Sequence, residues 1–382
     1  TRNDAGTRVN ASGNIESVGV DLPRIDYLGG SDSLLLEPES QNLIEYSEDF
    51  SQGSYFTLTS ASVSSSTITD PTGNQNSFKL IPDDGTGGNR SIGRNFLNLT
   101  GLHTYTCFAK KAEYNYLMLR TRNGPNTAVM FDLDNGTYNV NATSAAFVSA
   151  KIDDYGNGWY RCSITFTTEF DLAGSVNIRL ATSDGATNIT RDGTNGVYIY
   201  GLQAESHATR EYATSYIPTS GGTVTRGADS AIDAGSSDLI SSTEGVLYLE
   251  VSTFALINNN ESISLSNGGT GDVVRFLLHN TLDNKIAFQV KIGGGTVFFR
   301  SYILSDITAF NKIAIKYKQD DYAIWINGVE EHTITSGAVP TLNKLNFTSG
   351  SNVGSEFIGK VKCVAVFQEA LTDAELTCLT TI

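Results

Sequence analysis

Positive charge is scarce in this chain. Lys and Arg number 26 against 41 Asp and Glu, a formal net charge of −15 over 382 residues. Phosphate backbones and anionic lipid surfaces are gripped by Lys/Arg clusters, so neither nucleic acid nor a membrane surface is an expected partner. Long apolar runs are missing too. No stretch of ~18 apolar residues exists, which excludes membrane insertion by a helix. No signal-peptide pattern opens the chain. Cysteine is sparse: Cys107, Cys162, Cys363 and Cys378 form no CxxC pair and have no His at ligand spacing, which argues against zinc and against a disulfide scaffold. Cys107 and Cys162 sit in separate strand-like runs and read as small buried hydrophobes, able to pair only if those strands are neighbours. Charged residues are only 18 %, too few for the solvated faces of many helices.

Thr, Ser, Asn and Gly take that place, in a pattern of short β runs. YFTLTS, SFKLI, TYTCFAKK, YLMLRTR, AVMFDLD, GWYRCSITFTT, SVNIRLATS and GVYIYGLQAE follow one another over residues 41–217. Tyr105, Cys107 and Ala109 alternate with Thr104, Thr106 and Phe108, the period of half-buried antiparallel strands. Asp134-Asn-Gly136, Asn157-Gly158 and Asp192-Gly193 punctuate them as turns. A second β set fills 243–382, with Asn327-Gly328 at a hairpin tip and Leu371–Leu376 as the one helical turn, capped by Thr372 or Asp373. Residues 1–40 read as a lead-in holding brief strands around Gly29-Gly30. The Gly/Ser/Thr-rich stretch 218–242 reads as a linker. The expected fold is all-β: two antiparallel β-sandwiches, a jelly roll at 41–217 and a second sandwich at 243–382.

Sugar rings present C–H faces on which Tyr and Trp stack. On that ground Tyr114, Tyr116, Trp159, Tyr198, Tyr200 and Tyr322 are the candidate carbohydrate-binding residues, Tyr114 with Tyr116 and Tyr198 with Tyr200 forming same-side pairs on strands. Core packing is the competing role, foremost for Trp159. Catalytic residues are not expected. No E-x-D-x-x-E string occurs, and Glu244 and Glu250 would stand ~20 Å apart along a strand, too far for either glycosidase geometry. The four His are scattered. His103 with Tyr105, or Arg120 with Tyr116, is the remaining lyase-like pairing.

Several strings carry a family resemblance. TRVNASGNIESVGVDLPRIDY, then SLLLEPESQNLIEYSEDFS, DYGNGWYRCSITF, GVYIYGLQAE and ATSYIPTSGGTVTRGAD resemble bacteriophage tail-fibre and virion structural proteins over roughly residues 1–229. The first sandwich also resembles carbohydrate-binding-module jelly rolls. The second resembles the concanavalin A-like lectin/glucanase superfamily in its laminin-G-like branch, through FNKIAIKYKQDDYAIWINGVE and FIGKVKCVAVFQEALTDAEL. There the family's acidic pair is replaced by Lys362-Cys363, so no binding role is carried to that position. The resemblance implies a virion or extracellular setting, other virion proteins as partners, and a homo-oligomer, a trimer in fibres. It also implies a structural Ca²⁺ between first and last jelly-roll strands, at Glu45 or Glu48 with Gln203 or Glu205. The resulting expectation is a non-catalytic virion protein recognising host surface polysaccharide. The alternatives are a purely structural capsid or tail decoration protein and a polysaccharide depolymerase.

Overall fold

Strand alternation over residues 57–207 resolves into two six-stranded antiparallel sheets packed face to face. One runs, edge to edge, Phe147–Asp154, Trp159–Glu169, Thr100–Lys111, Val197–His207, Phe78–Pro82 and Ala61–Ser65; the other runs Thr137–Ala142, Ala128–Asp132, Tyr116–Arg122, Gly174–Ala181, Ser91–Phe96 and Thr57–Thr59. This is a computed structural model, and it describes residues 1–83, 90–96, 100–122, 127–142, 145–169, 174–181, 189, 192–208, 210–254, 261–279, 284–351 and 355–382. Between the sheets lie Leu117, Leu119, Phe131 and Ile178 from one side and Tyr105, Cys107, Cys162, Ile164 and Ile199 from the other. The opposite phase of the central strand, Thr104, Thr106 and Phe108, is buried as well. A strap of residues 210–220 and a hairpin of the lead-in, Gly6–Val9 with Ile15–Val18, account for this. Val9, Ile15, Phe108, Trp159, Tyr200 and Tyr216 form a second apolar cluster on the sheet's outer face. Gly201 permits the contact. Its φ is +54°, it falls at the register shift opposite Cys107 and Phe108, and a Cβ there would meet Phe108 at 2.9 Å and Tyr216 at 3.1 Å.

The second sandwich packs a five-stranded sheet on a seven-stranded one. Ile263, Phe276, Phe288, Leu249, Ile313 and Ile324 fill the space between. Asn327 and Gly328 both take positive φ, 49° and 86°, the two-residue turn that matches strand twist. The helix Asp373–Thr380 begins on a reciprocal cap: Thr372 Oγ1 accepts from the Glu375 amide, and Glu375 accepts from the Thr372 amide. Among the described residues no helix is long and apolar enough to cross a membrane.

The lead-in and the linker are corrections to the sequence reading. Lead-in strands Ile25–Asp26 and Ser33–Leu36 finish the seven-stranded sheet, with Leu34 opposite Val361 and Leu36 opposite Gly359. Residues 1–40 therefore belong to both sandwiches, a hairpin on one and two strands in the other. The linker is stitched down: Val224–Arg226 pairs with Ser40–Asn42, and Ala234 bridges Leu345. Its polarity serves ion pairing rather than flexibility. Arg24 donates to Glu37 at 2.7 Å and to Asp229, while Arg2 donates to Asp229 at 2.9 Å and Arg226 lies 3.5 Å from Glu37. All five side chains are almost wholly buried.

Candidate functional site

Burial removes most of the aromatic candidates. Trp159 is 1 % exposed and its indole N–H donates to the Thr69 carbonyl at 2.8 Å. Tyr198 and Tyr200 do share a face, but the lead-in hairpin covers it: Tyr200 is buried, its hydroxyl donating to Glu48 at 2.7 Å, and Tyr198 is half-buried beside it. Tyr114 lies one turn of chain before the strand Tyr116–Arg122, so alternation does not govern it. It falls into the core between the sheets, away from Tyr116. Tyr116 stays half-buried on the outer face with Met118 and Met130, its hydroxyl 3.1 Å from Asp132. Tyr322 is fully buried and edge-on to Phe298. Only Tyr116 and Tyr198 keep surface for a ligand.

The calcium set is not assembled. Glu205 and Gln203 project from the Val197–His207 strand into the strap. Glu205 accepts from Thr214 Oγ1 at 2.6 Å, the Thr214 amide at 3.0 Å, Ser40 and Arg210; Gln203 accepts from the Ile217 amide at 2.7 Å. Burial pushes the Glu205 carboxyl up, yet Arg210 and its hydroxyl partners hold it below the usual range. A cation there would meet Arg210. Glu48 gives Oε1 to the Tyr200 and Tyr216 hydroxyls, and the Glu45 carbonyl accepts from the Gly221 amide. These four residues do not fit a calcium ion, and among the described residues no three His, Cys, Asp or Glu side chains could hold a metal. The lyase-like pair His103 and Tyr105 is buried, and Glu244 and Glu250 are engaged by Lys318 at 2.9 Å and Lys362 at 3.8 Å.

A groove does form where the sandwiches meet, lined by none of the six aromatic candidates. One limb, of about 250 Å³, lies between Ser149, Lys151, Asp153 and Arg161 on the first sandwich and Tyr212 and Phe254 opposite. A second limb of about 120 Å³ continues it past Arg8, Asp26, Tyr155 and Lys360. Lys151, Asp153, Arg161, Ala213 and Phe254 line both. Tyr212 and Phe254 rings stand 5.1 Å apart. Arg161 is fixed by the Thr214 carbonyl at 2.7 Å and by Thr106, with its guanidinium 5.4 Å from the Phe108 ring centroid. Lys151 meets Asp153 at 2.8 Å, and Lys360 meets Asp26 at 2.8 Å. Burial pushes the Tyr155 phenol up to about 12, so it is a neutral hydroxyl. Cations and carboxylates thus balance in the groove of an acidic chain. Ring faces, hydroxyls and paired charges together suit a polyhydroxylated ligand, and ligand sites favour such domain junctions. The nearest sequence signal was Lys151 and Asp153 on the polar phase of KIDDYGNGWYRC; Phe254 and Lys360 gave none.

Two stacked antiparallel sandwiches with a groove at their junction define an all-β, two-sandwich protein. Residues 251–377, about a third of the chain, match the family model described as the concanavalin A-like lectin/glucanases superfamily, so the second sandwich is similar to the domains of that superfamily. Solved structures show only distant similarity. The Ruminococcus gnavus IT-sialidase CBM40 is 15 % identical, with 39 % of this chain and 94 % of that one covered and a TM-score of 0.33. The heptameric SAP-like pentraxin from Limulus polyphemus is 13 % identical over 38 % and 72 %, TM-score 0.31. Domains LG4-5 of the mouse laminin α1 chain are 10 % identical over 75 % and 92 %, TM-score 0.26. No curated protein matches the chain.

Proposed function

We propose that this protein is a non-catalytic phage virion component, a tail-fibre or receptor-binding protein, that recognises host surface polysaccharide in the groove between its two sandwiches. The groove carries the reading: it brings Phe254 and Lys360, from the sandwich that matches lectins and glucanases, against Lys151, Asp153 and Arg161 of the first. Lys151 and Lys360 are paired with Asp153 and Asp26, so binding relies mainly on ring faces and hydrogen bonds, each site being shallow. Several copies on a fibre, a trimer by the sequence resemblance, would supply avidity. Glycoside cleavage needs one protonated and one ionised carboxyl flanking the bond. In the groove Asp26 and Asp153 are held by lysines, and burial of Glu37 is outweighed by Arg226 and Arg24, which keep its carboxyl well below the usual range.

The test is a screen of glycan arrays and host polysaccharides, with calcium and with chelator, and with product analysis of every hit. Saturable binding without shortened chains, weakened by Phe254→Ala and Lys151→Ala, is expected. Shortened chains would establish a depolymerase. A purely structural virion role is favoured by one feature. The nine-residue edge strand Gly295–Ile303 leaves Phe299 40 % and Ile303 75 % exposed, the kind of edge that pairs with neighbours. Absence of binding in the whole screen would leave that role.

A further inference from the structure

A second concavity of about 440 Å³ lies on the first sandwich, away from the groove, and differs from it in charge. Its walls are Tyr46, Glu48 and Asp49 on one side, Gln75, Asn76 and Phe78 on the other, with the end of the strap between them. Among the described residues no Lys, Arg or His lines it.

Its frame is stiff. The Ser47 amide donates to Thr219 Oγ1 at 2.9 Å, the Thr219 amide to Ser47 Oγ at 2.8 Å, and the Gly221 amide to the Glu45 carbonyl at 2.8 Å. Asp70, itself buried, accepts from the amides of Thr72 at 2.7 Å and Asn76 at 3.0 Å and so sets the loop on the far wall. Ser51 and Gln52 occupy both oxygens of Asp49 and hold its carboxyl below the usual range. The groups left over are on the cavity side. Glu48 spends Oε1 on Tyr200 and Tyr216 and keeps Oε2. The Gln75 and Asn76 carboxamides are exposed and make no side-chain hydrogen bond among the described residues. Tyr46 packs edge-on to Tyr55.

Carboxamides pair equally with donor and acceptor hydroxyls, a carboxylate accepts from a hydroxyl, and an aromatic wall covers a C–H face. Two carboxylates without a cation would repel a uronate or a sialate. We propose that this concavity is a second sugar subsite, selective for uncharged glycosyl residues, on the same chain as a charge-balanced groove. The proposal rests on the glycan-recognition reading, and adds to it a distinct place and ligand class.

Calorimetric titration of the full chain with maltohexaose, cellohexaose, mannohexaose and chitohexaose, and with hexagalacturonate and an alginate hexamer, tests it. At least one neutral hexamer binds. The paired surface change Gln75→Ala/Asn76→Ala, which alters no hydrogen bond of the frame, weakens that binding tenfold or more, while Lys151→Ala in the groove leaves it within twofold. Gln75→Lys raises affinity for the acidic hexamers. Neutral binding that ignores the Gln75/Asn76 change, or moves only with Lys151→Ala, overturns the subsite and leaves glycan recognition standing. Acidic hexamers bound as well as neutral ones, through Gln75 and Asn76, overturn the selectivity. Silence from all neutral hexamers overturns the proposal; binding of acidic ones alone would still uphold recognition in the groove.

Discussion

Arg24 and Glu37 lie 2.7 Å apart, both nearly sealed from solvent, and the same guanidinium also reaches Asp229 from the far side of the linker stretch. Removing one partner of such a buried pair leaves an uncompensated charge, at a cost of about 3–5 kcal/mol. Arg24→Met should therefore lower the urea midpoint substantially with little change in slope. An effect under about 1 kcal/mol would mean the cluster is dispensable.

Acid should act on the same region. Glu37 and Glu205 both have folded pKa values below the ordinary 4.5: in each, burial is outweighed by arginines, Arg226 and Arg24 at Glu37 and Arg210 at Glu205. Their contribution is present above about pH 4.5 and is lost as pH falls through their folded values. His207 adds in the same direction. Burial, then Arg210, depresses it to about 4, so stability it contributes above pH 6.5 fades between 6.5 and 4. A melting-temperature series from pH 7.5 to 3.5, run on Glu261→Gln to remove a buried acid that titrates in the opposite sense, should fall below pH 6.5 and steeply below 4.5. A flat profile would contradict this assignment.

Glu261 should behave oppositely. Burial raises its carboxyl to about 8, and the Ile358 amide donates to its Oε2 at 3.1 Å while Oε1 has no partner among the described residues. With the folded value above the unfolded one, stability is greatest below pH 4.5 and is lost as pH rises toward 8. Glu261→Gln removes that dependence. It should stabilise the protein by roughly 3–5 kcal/mol at pH 8.5, scaling the shift from 4.5 to about 8 at 1.36 kcal/mol per unit, and change little at pH 4. Equal effects at both pH values would count against a buried neutral acid.

The thiols should sort by burial. Cys107 and Cys162 are register partners on adjacent strands, both fully buried, with burial raising their thiols far above the ordinary range. Cys378 is exposed and Cys363 half-buried. A DTNB assay should titrate Cys378 first, Cys363 more slowly, and the other two only in denaturant. Early reaction of three or more thiols would refute that order.

What sequence could disclose was local. Asn327-Gly328, the Thr372 cap, the strand periods and the count of sandwiches follow from contacts within a few residues of each other. The site did not. TYTCFA reads as half-buried because half its face is polar, yet Thr104 and Thr106 are covered by a strap a hundred residues on. Tyr198 and Tyr200 point together as alternation demands, and what lies on them, Val9, Ile15 and Tyr216, comes from elsewhere in the chain. Tyr322, a stacking candidate by residue type, occupies the core phase of a strand buried along its whole length. The linker's composition resembled a flexible spacer because two charged residues, Arg226 and Asp229, carry its packing.

Lys360 and Asp26 are 334 positions apart in the chain, and the sheet they share cannot close until both ends have been made. Loop closure over such a span is slow and entropically costly. On the ribosome the outer edge of Ser33–Leu36 must wait, unpaired, until Gly359–Val361 has been made. A fragment beginning at residue 243 would expose the bare edge at Gly359–Val361 that Leu34–Leu36 normally occupies, a surface ready to pair with whatever strand arrives first.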